Sequence, residues 1–420
     1  MPLAPSSRFR SQVALLAVLQ ALLLTNNVTL IAVNGLAGLQ LAPTPLLATF
    51  PVTGYVLGGA VWAMPAALFM RRYGRRAGYT LGSLVAMLGS LLAWHAMNAG
   101  SLWLLCLATF VCGLYNAFGA SLRFAAADVV DAAPAASAAS AAQGAWRERW
   151  RPRAISLVLA GGIAGGVVGP EISKWSRGAL ATPFAGSYLV LVAFAALSLL
   201  LVQALRVPVP SKSAASGSAR PMREILRDPV CRVAILCAAL AYGVMNLLMV
   251  ATPLAMEVCG LPYEAAAFVI EWHVIGMFAP GLFSGALIGR FGALPVVFAG
   301  AVLMLGCVGV ALSGVELMHF TIALFALGVG WNFMYTGATA LLTQSYRPAE
   351  KNKVQGFMDS IVFATMITSS ASSGALLFVD GWSVLNLLSL PFVVVVLAAV
   401  LWLAARSGWA FGRPGVGAAS

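Results

Sequence analysis

The sequence predicts an all-α integral membrane protein with twelve transmembrane helices. Three observations lead to this prediction: the chain contains twelve long apolar segments, 61% of its 420 residues are hydrophobic, and only 9% are charged. Its mean hydropathy of +0.91 leaves too little polar surface for a water-soluble fold of this length. The apolar stretches are continuous rather than alternating at every second residue, which excludes an outer-membrane β-barrel.

The predicted helices follow one another with short breaks, and most reach the ~20 residues that span a bilayer. In chain order they are Gln12–Ala37, Leu46–Met70, Gly78–Met97, Leu102–Ala126, Ala154–Ile172, Phe184–Leu205, Val233–Met256, Ala265–Ile288, Leu294–Leu312, Phe320–Thr343, Val354–Phe378 and Val384–Ala405. Arg8 and Arg10 precede the first, as in a signal peptide, but its apolar run is far longer than the ~7–15 residues of a signal sequence. We therefore interpret it as an uncleaved first helix.

The basic residues predict the orientation. All but Lys174 and Arg177 of the 25 lysines and arginines fall in stretches that face one side of the membrane. The positive-inside rule makes that side the cytoplasm, with both termini there and an even number of crossings. We expect a multi-pass protein of the bacterial inner (plasma) membrane. The net charge of +12 then faces anionic headgroups, so we expect no nucleic-acid partner.

The predicted helices divide into two groups of six. Residues 1–206 form an N-terminal six-helix bundle, residues 207–229 a cytoplasmic linker rich in Pro, Ser, Lys and Arg, and residues 230–420 a C-terminal six-helix bundle with a short cytoplasmic tail. The halves repeat one another: Ala67–Gly74 aligns with Gly285–Gly292, Tyr115-Asn116 with Trp331-Asn332, and Trp150–Pro152 with Tyr346–Pro348. Such a duplication is typical of a transporter whose site lies at the interface of the repeats.

One loop carries a family motif. The sequence from Ala67 to Arg76 resembles the Gly-x-x-x-Asp-Arg-x-Gly-Arg-Arg motif of the major facilitator superfamily; Arg72, Gly74, Arg75 and Arg76 match it, whereas Ala67 and Arg71 depart from it. The resemblance covers about Gln12–Ala405. It implies the superfamily fold of two pseudo-symmetric six-helix bundles and secondary transport of a small organic solute by alternating access, driven by an ion gradient.

The resemblance also implies a set of gating residues. In the family the missing aspartate helps hold the halves together near the start of helix eleven, and here Asp359 lies close to that point. We expect a charge swap in which Arg71 reaches toward Asp359; alternatively, Arg71 is only a cytoplasmic anchor. Asp128 is expected to join Arg123, Arg72 and Arg76 in a cytoplasmic charge network.

The fifth predicted helix contains a smooth face. Gly161, Gly165 and Gly169 recur at every fourth position before Pro170, so another helix backbone can approach closely. The stretch is similar to a glycine-and-proline motif that the family often shows in antiporters. It lacks the trailing glycine pair, and the direction of transport stays open.

Ionisable groups inside a bilayer are costly, so each one is a functional candidate. Glu271, in the eighth predicted helix, is the first choice for coupling to protons or for substrate contact; an outer gate and a structural polar group are the alternatives. His273 lies about 200° further round the helix, so the two are not expected to pair. Glu171 could pair with Lys174, three residues on.

In the superfamily, helices one, four, seven and ten line a central cavity, and here each carries an asparagine near mid-depth. Aromatic residues accompany them, which suits a flat cargo that is uncharged or weakly charged. The candidate substrate-binding residues are Asn26, Asn27, Tyr115, Asn116, Tyr242, Asn246, Trp331, Asn332 and Tyr335. Ordinary helix packing is the alternative. No basic residue lies at mid-depth, which disfavours organic phosphates and dicarboxylates.

Other classes of function find little support. The sequence has no nucleotide-binding motif and no hydrolase-like or metal-ligand arrangement, so we expect that the protein is not an enzyme and has no cofactor. We also expect a monomer. Stretches such as Arg123–Asp128, and Gly330–Phe333 through Tyr346–Lys351, resemble bacterial permeases, some of whose relatives are linked to riboflavin uptake. A proton-coupled exporter of drugs or metabolites and a non-transporting sensor or scaffold remain the alternatives.

Overall fold

The computed structural model describes residues 7–131, 140–207 and 220–406. This part of the chain is helical, with two short 3-10 turns and no β-strand. The helices are α1 Ser7–Leu41, α2 Phe50–Tyr73, α3 Arg75–Asn98, α4 Leu102–Gly119, α5 Leu122–Asp131, α6 Ser140–Ser176, α7 Ala185–Gln203, α8 Met222–Ile225, α9 Pro229–Val258, α10 Tyr263–Phe278, α11 Gly281–Phe291, α12 Ala293–Ser313, α13 Leu317–Leu342 and α14 Lys351–Arg406.

The number of crossings follows from the lengths of these helices. Within the described residues, eleven stretches are long and apolar enough to span a membrane, and the last of them, Lys353–Arg406, has 54 residues. That length is about 80 Å of helix, whereas a bilayer core is about 30 Å thick. Gly381 interrupts it with a non-helical φ of 82° and ψ of 171°. The stretch therefore supplies two crossings, and the prediction of twelve spans is confirmed.

A single glycine also separates two other pairs of consecutive helices. Gly74, between α2 and α3, has φ 86°, and Gly292, between α11 and α12, has φ 89°. This conformation is essentially restricted to glycine because a Cβ atom would clash with the backbone. The duplicated sequences Arg72–Gly74 and Arg290–Gly292 thus make the same sharp turn between helices.

Two predicted spans are interrupted rather than continuous. The fourth consists of α4 and α5, and the eighth of α10 and α11. Pro280 lies at the second break, where its missing N–H removes a helical hydrogen bond. At the first break the Ser121 hydroxyl donates to the carbonyl of Phe118 at 2.8 Å and thereby satisfies one of the freed groups. Hydropathy does not detect either break because the residues on both sides are apolar.

The described residues form two compact units. The first lies within Met1–Pro43 and Phe50–Lys212, and the second within Thr44–Thr49 and Ser213–Ser420. The first unit holds α1 to α7 and the second α8 to α14. Of the predicted linker, 207–229, residues 208–219 lie outside the described part of the chain, and from Arg220 onward the chain belongs to the second unit.

In the first unit, α6 packs on α1 through the glycine face. A Cβ atom on Gly161 would lie 2.1 Å from the carbonyl oxygen of Ala17, and one on Gly165 would lie 2.4 Å from that of Ala21. The Thr29 hydroxyl donates to the carbonyl oxygen of Gly169 at 3.0 Å. The prediction that these glycines admit another helix backbone is confirmed, and that helix is α1.

In the second unit, α9 is buried along most of its length. The Asn246 amide donates to the carbonyl oxygen of Met366 at 3.1 Å and to the Ser369 hydroxyl at 3.0 Å, which ties α9 to α14. α12 and α13 cross where Gly300 faces Gly330, since a Cβ atom on either would lie under 3 Å from the other's carbonyl oxygen. Close backbone contacts and interhelical hydrogen bonds therefore hold this unit together.

Two glycine-to-alanine changes should have opposite effects on stability. Gly165→Ala forces a methyl group against the backbone of α1 and should lower the free energy of unfolding by about 1–3 kcal/mol. Gly306→Ala, on α12, meets no atom within 4 Å and should raise it by up to about 1 kcal/mol, since alanine is the better helix former. Denaturant unfolding in detergent measures both. Equal effects of the two substitutions would contradict the packing of α6 on α1.

Candidate functional site

Three of the predicted aromatic residues form one cluster in the second unit. Trp331 and Tyr335, one turn apart on α13, stack with their ring planes 7° apart and their centroids separated by 5.6 Å. Tyr242 of α9 meets both rings edge-on, at centroid distances of 5.0 Å and 4.8 Å. Edge-to-face and stacked contacts are the arrangements that aromatic quadrupoles favour. We call these three residues the aromatic cluster.

The asparagines of the second unit are used differently. The Asn246 amide donates its hydrogen bonds to α14, as described above. The Asn332 amide donates to the carbonyl oxygen of Met277 at 2.7 Å and links α13 to α10. Among the described residues no partner exists for the buried Asn332 Oδ1 or for the buried Trp331 Nε1 beside it in the chain. Asn246 is thus a packing residue, while Asn332 and Trp331 keep hydrogen-bonding capacity.

In the first unit a chain of hydrogen bonds joins three helices. The Tyr55 hydroxyl of α2 donates to Asn27 Oδ1 at 2.5 Å, and Asn27 Nδ2 of α1 donates to Asn116 Oδ1 of α4 at 2.9 Å. We call Tyr55, Asn27 and Asn116 the amide relay. Asn27 and Asn116 were predicted site residues, whereas Tyr55 was missed. A lone tyrosine within an apolar span was the only sequence signal for it.

Two further predicted residues of the first unit differ from each other. The Tyr115 hydroxyl donates to Ser198 Oγ of α7 at 3.4 Å, and both residues line a small internal cavity with Tyr79 and Ser83. Tyr115 thus packs inside its own bundle. Asn26 is only 2% exposed, and neither of its amide atoms has a partner within the described part of the chain.

The eighth span carries the predicted coupling residue. Glu271 is half-buried on α10, and His273 is fully buried. His273 Nδ1 lies 2.7 Å from the carbonyl oxygen of Leu324, so this nitrogen carries the proton because a carbonyl can only accept. This hydrogen bond links α10 to α13. On α6, Lys174 donates to Glu171, as the spacing predicted.

The predicted gating residues of the first unit surround the Gly74 turn. Arg75 Nε lies 2.5 Å from Asp128 Oδ2, and Arg76 donates to Gln203 Oε1 at 3.1 Å. The Arg72 guanidinium lies 5.3 Å from the centroid of the Tyr73 ring. We expected Asp128 to join Arg72, Arg76 and Arg123 in a charge network. The structure pairs it with Arg75, which begins α3 directly after the turn at Gly74, and the wider network stays a prediction. The Arg123 side chain lies outside the described atoms.

The remaining gating residues lie apart in sequence. Arg71 lies in the last turn of α2 with its side chain exposed, and Asp359 lies exposed in the first part of α14. Their pairing stays a prediction. The described residues contain no group of three His, Cys, Asp or Glu side chains that could hold a metal ion, and the six cysteines are free thiols.

Comparison with known proteins decides the family. The family model of the Major Facilitator Superfamily matches residues 14–315. The chain belongs to this superfamily. It is 38% identical to the riboflavin transporter RfnT of Brucella anthropi over 93% of this chain and 95% of that one. The superfamily consists of transporters rather than enzymes, so this chain is a multi-pass membrane transporter of a small molecule.

Two solved structures of transporters share the fold. The nucleoside transporter NupG (D323A mutant) matches with a TM-score of 0.72 and 13% identity, covering 94% of this chain and 99% of that one. A bacterial homologue of the human lysosomal transporter Spinster, in an inward-facing and occupied conformation, matches with a TM-score of 0.67 and 18% identity, covering 96% and 98%. At these identities the likeness establishes the fold alone.

The amide relay should contribute measurably to stability. Tyr55→Phe removes the donor to Asn27 Oδ1 and leaves a part-buried acceptor unpaired, which should cost about 1–3 kcal/mol of the free energy of unfolding. Tyr73→Phe is the matched control, since Tyr73 is 56% exposed. Thermal unfolding of both variants in detergent tests the relay, and equal midpoints would refute it.

Proposed function

We propose that this transporter carries riboflavin or a closely similar flat, uncharged metabolite across the bacterial inner membrane, in the direction of uptake. The aromatic cluster is the observation that carries the proposal, because a ring system can stack on the faces of Tyr242 and Tyr335, which are both partly exposed. The extended similarity to a riboflavin transporter supports the same cargo. Riboflavin pairs a planar apolar ring system with polar edges, which suits aromatic faces beside amides.

Apart from Tyr242 and Tyr335 of the aromatic cluster, the predicted substrate-binding residues fall into two groups. Trp331, Asn332 and Asn26 have buried polar atoms without a partner among the described residues, and we assign them hydrogen bonds to the cargo. Buried polar atoms are rarely left unpaired in the functional state. Asn27, Asn116, Tyr115 and Asn246 already bond within their own units. We propose that they position the helices and contact cargo only secondarily.

The expected charge of the cargo follows from the lack of basic residues at mid-depth in the predicted spans. The sequence places no Lys or Arg at mid-depth of a predicted span, and an anion there would meet no compensating charge. We therefore propose that the transporter accepts riboflavin and rejects its phosphate ester. The two compounds share the ring system, so they are a matched pair of probes.

Transport by alternating access, driven by an ion gradient, completes the proposal. We assign Glu271 to proton coupling because it is a carboxylate placed within a span. We further propose that both termini are cytoplasmic and that the protein works as a monomer. Its halves are repeats of six spans, joined near residues 207–229. The cytoplasmic side is gated by Arg71, Arg72, Gly74, Arg75, Arg76, Asp128 and Asp359.

Export is the second candidate, because Gly161, Gly165, Gly169 and Pro170 resemble a motif associated with antiporters. The direction of accumulation separates the two. Right-side-out vesicles should accumulate labelled riboflavin when energised. Accumulation only in everted vesicles would favour the exporter, and stabilisation of the purified protein by diverse cationic dyes but not by riboflavin would point the same way.

Removal of a cluster ring should weaken binding of cargo. Trp331→Ala and Tyr335→Ala should each raise the riboflavin Kd about 10-fold or more, given about 1–3 kcal/mol per lost stacking contact. Trp175→Ala is the control, since Trp175 is 72% exposed at the end of α6. Isothermal titration in detergent measures all three, with the phosphate ester as the non-binding probe. An unchanged Kd for Trp331→Ala and Tyr335→Ala would remove the cluster from the site.

Neutralising Glu271 should separate coupling from translocation. Glu271→Gln should abolish gradient-driven uptake, because an amide cannot carry a proton, while exchange of labelled for unlabelled riboflavin continues. Glu264→Gln, in the exposed first turn of the same helix, is the matched control. Proteoliposomes with and without an imposed proton gradient provide the measurement. Driven uptake by Glu271→Gln at the normal rate would exclude Glu271 from the mechanism.

A further inference from the structure

A wholly buried carboxylate lies outside the membrane spans of the second unit. Glu350 ends the 3-10 turn Pro348–Glu350, directly before α14, and its side chain is 0% exposed. Charged side chains are almost never fully buried unless they are paired. Sequence analysis gave this residue no role.

Four donors satisfy this carboxylate. Oε1 accepts from the backbone N–H of Arg220 at 3.1 Å and from Arg220 Nε at 2.7 Å. Oε2 accepts from Arg220 Nη2 at 2.8 Å and from the backbone N–H of Arg347 at 2.9 Å. The fork of the guanidinium thus binds both oxygens, which is the strongest and most directional form of ion pair. We call this pair the Arg220–Glu350 brace.

The brace joins the ends of three helices. Arg220 lies just before α8, which leads through Asp228, the N-cap of α9, into that helix. On the other side, Arg220 Nη2 donates to the carbonyl oxygen of Ser345, which follows α13, at 3.4 Å. Lys353, in the first turn of α14, donates to the carbonyl oxygen of Arg220 at 2.9 Å. The starts of α9 and α14 and the end of α13 therefore meet at one point.

The same helices carry the aromatic cluster. Tyr335 lies seven residues before Leu342, the last residue of α13, or about 10 Å along the axis, and Tyr242 lies about 20 Å from the start of α9. A helix is stiff over such lengths, so a shift at its end moves the ring that it carries. The position of the rings depends on the position of these helix ends.

We propose that Glu350 and Arg220 are positioning residues for transport, which hold α9 and α13 in the register that assembles the aromatic cluster. The brace stays closed throughout the transport cycle, because its four hydrogen bonds leave the carboxylate no unsatisfied site that would favour opening. The Arg220 guanidinium, followed by the Arg347 N–H, holds the pKa of Glu350 well below its usual range. Stability from a lowered carboxyl pKa is lost only as pH falls through the folded-state value, so the brace does not titrate between pH 5 and 8.

The reactivity of the native Cys231 thiol can show whether the brace is intact, and this measurement needs no cargo. Cys231, in the first turn of α9, is 0% exposed and lies against the Ser345 side chain. Cys259 is exposed and Cys307 is buried on α12. Alkylation by N-ethylmaleimide, followed by peptide mass spectrometry, reads the three thiols in one sample, with Cys259 and Cys307 as the reactive and protected references.

The decisive variant is Glu350→Gln, with Glu171→Gln as the matched carboxylate-to-amide change at an exposed ion pair. Glu350→Gln should accelerate alkylation of Cys231 at least 10-fold, leave Cys307 protected, and raise the riboflavin Kd at least 10-fold. Glu171→Gln should change neither value. If Glu350→Gln does not fold, Arg220→Lys, which keeps the charge but loses the fork, should show smaller changes in the same direction.

The outcomes separate the brace from the proposed cargo. An increase in Cys231 reactivity with an unchanged riboflavin Kd of the folded fraction would make the pair merely structural and overturn the proposal. Unchanged reactivity of Cys231 would overturn it as well. The affinity readout rests on riboflavin as cargo: if the unaltered protein binds no riboflavin, the proposed function fails, while the thiol readout still tests the brace.

Discussion

Hydrocarbon offers no hydrogen-bond partner, and this constraint governs the molecule from its backbone to its site. Each crossing is helical because a helix pairs its N–H and C=O groups within one segment. The buried Thr252 hydroxyl follows the same rule, since it donates to the Leu248 carbonyl one turn back. Lipid also competes with apolar side chains for contact, so helix association relies on close packing of small residues such as Gly165 and on a few bonds such as that of Asn246.

Within the second unit, α9 connects the aromatic cluster to the packing of the helices. Tyr242 contacts the two aromatic rings of α13, and Asn246, one turn further, bonds to α14. A rotation of α9 would disturb both sets of contacts together. The first unit has a corresponding centre in α1. Asn27 of α1 accepts a hydrogen bond from α2 and donates one to α4, while another face of α1 packs against the glycines of α6. In each unit one buried helix sets the positions of the others.

The sequence predicted what depends on local composition. Hydropathy predicts the twelve spans, and the spacing of Gly161 and Gly165 predicts a helix face that another helix backbone can approach closely. The sequence did not predict which distant residues would meet, because Tyr55 and Asn116 are far apart in the chain and become neighbours only through the packing of α2, α1 and α4. The pairing of Asp128 with Arg75 was missed for a related reason. Four arginines lie within six residues, and the backbone turn at Gly74 separates the first two from the last two.

The described carboxylates divide according to how they are satisfied. Glu350 receives four donors and is held ionised far below its usual pKa, so it can fix helices but cannot exchange a proton in the working range. A coupling group needs the opposite property, a proton affinity that changes with its surroundings near ambient pH. Such a group must lie where transport alters its solvent access, and Glu271, half-buried within a span, is the residue that we propose for this role. Glu350, which holds helices in place, and Glu271, which we propose as the proton-exchanging group, thus lie toward different ends of the second unit.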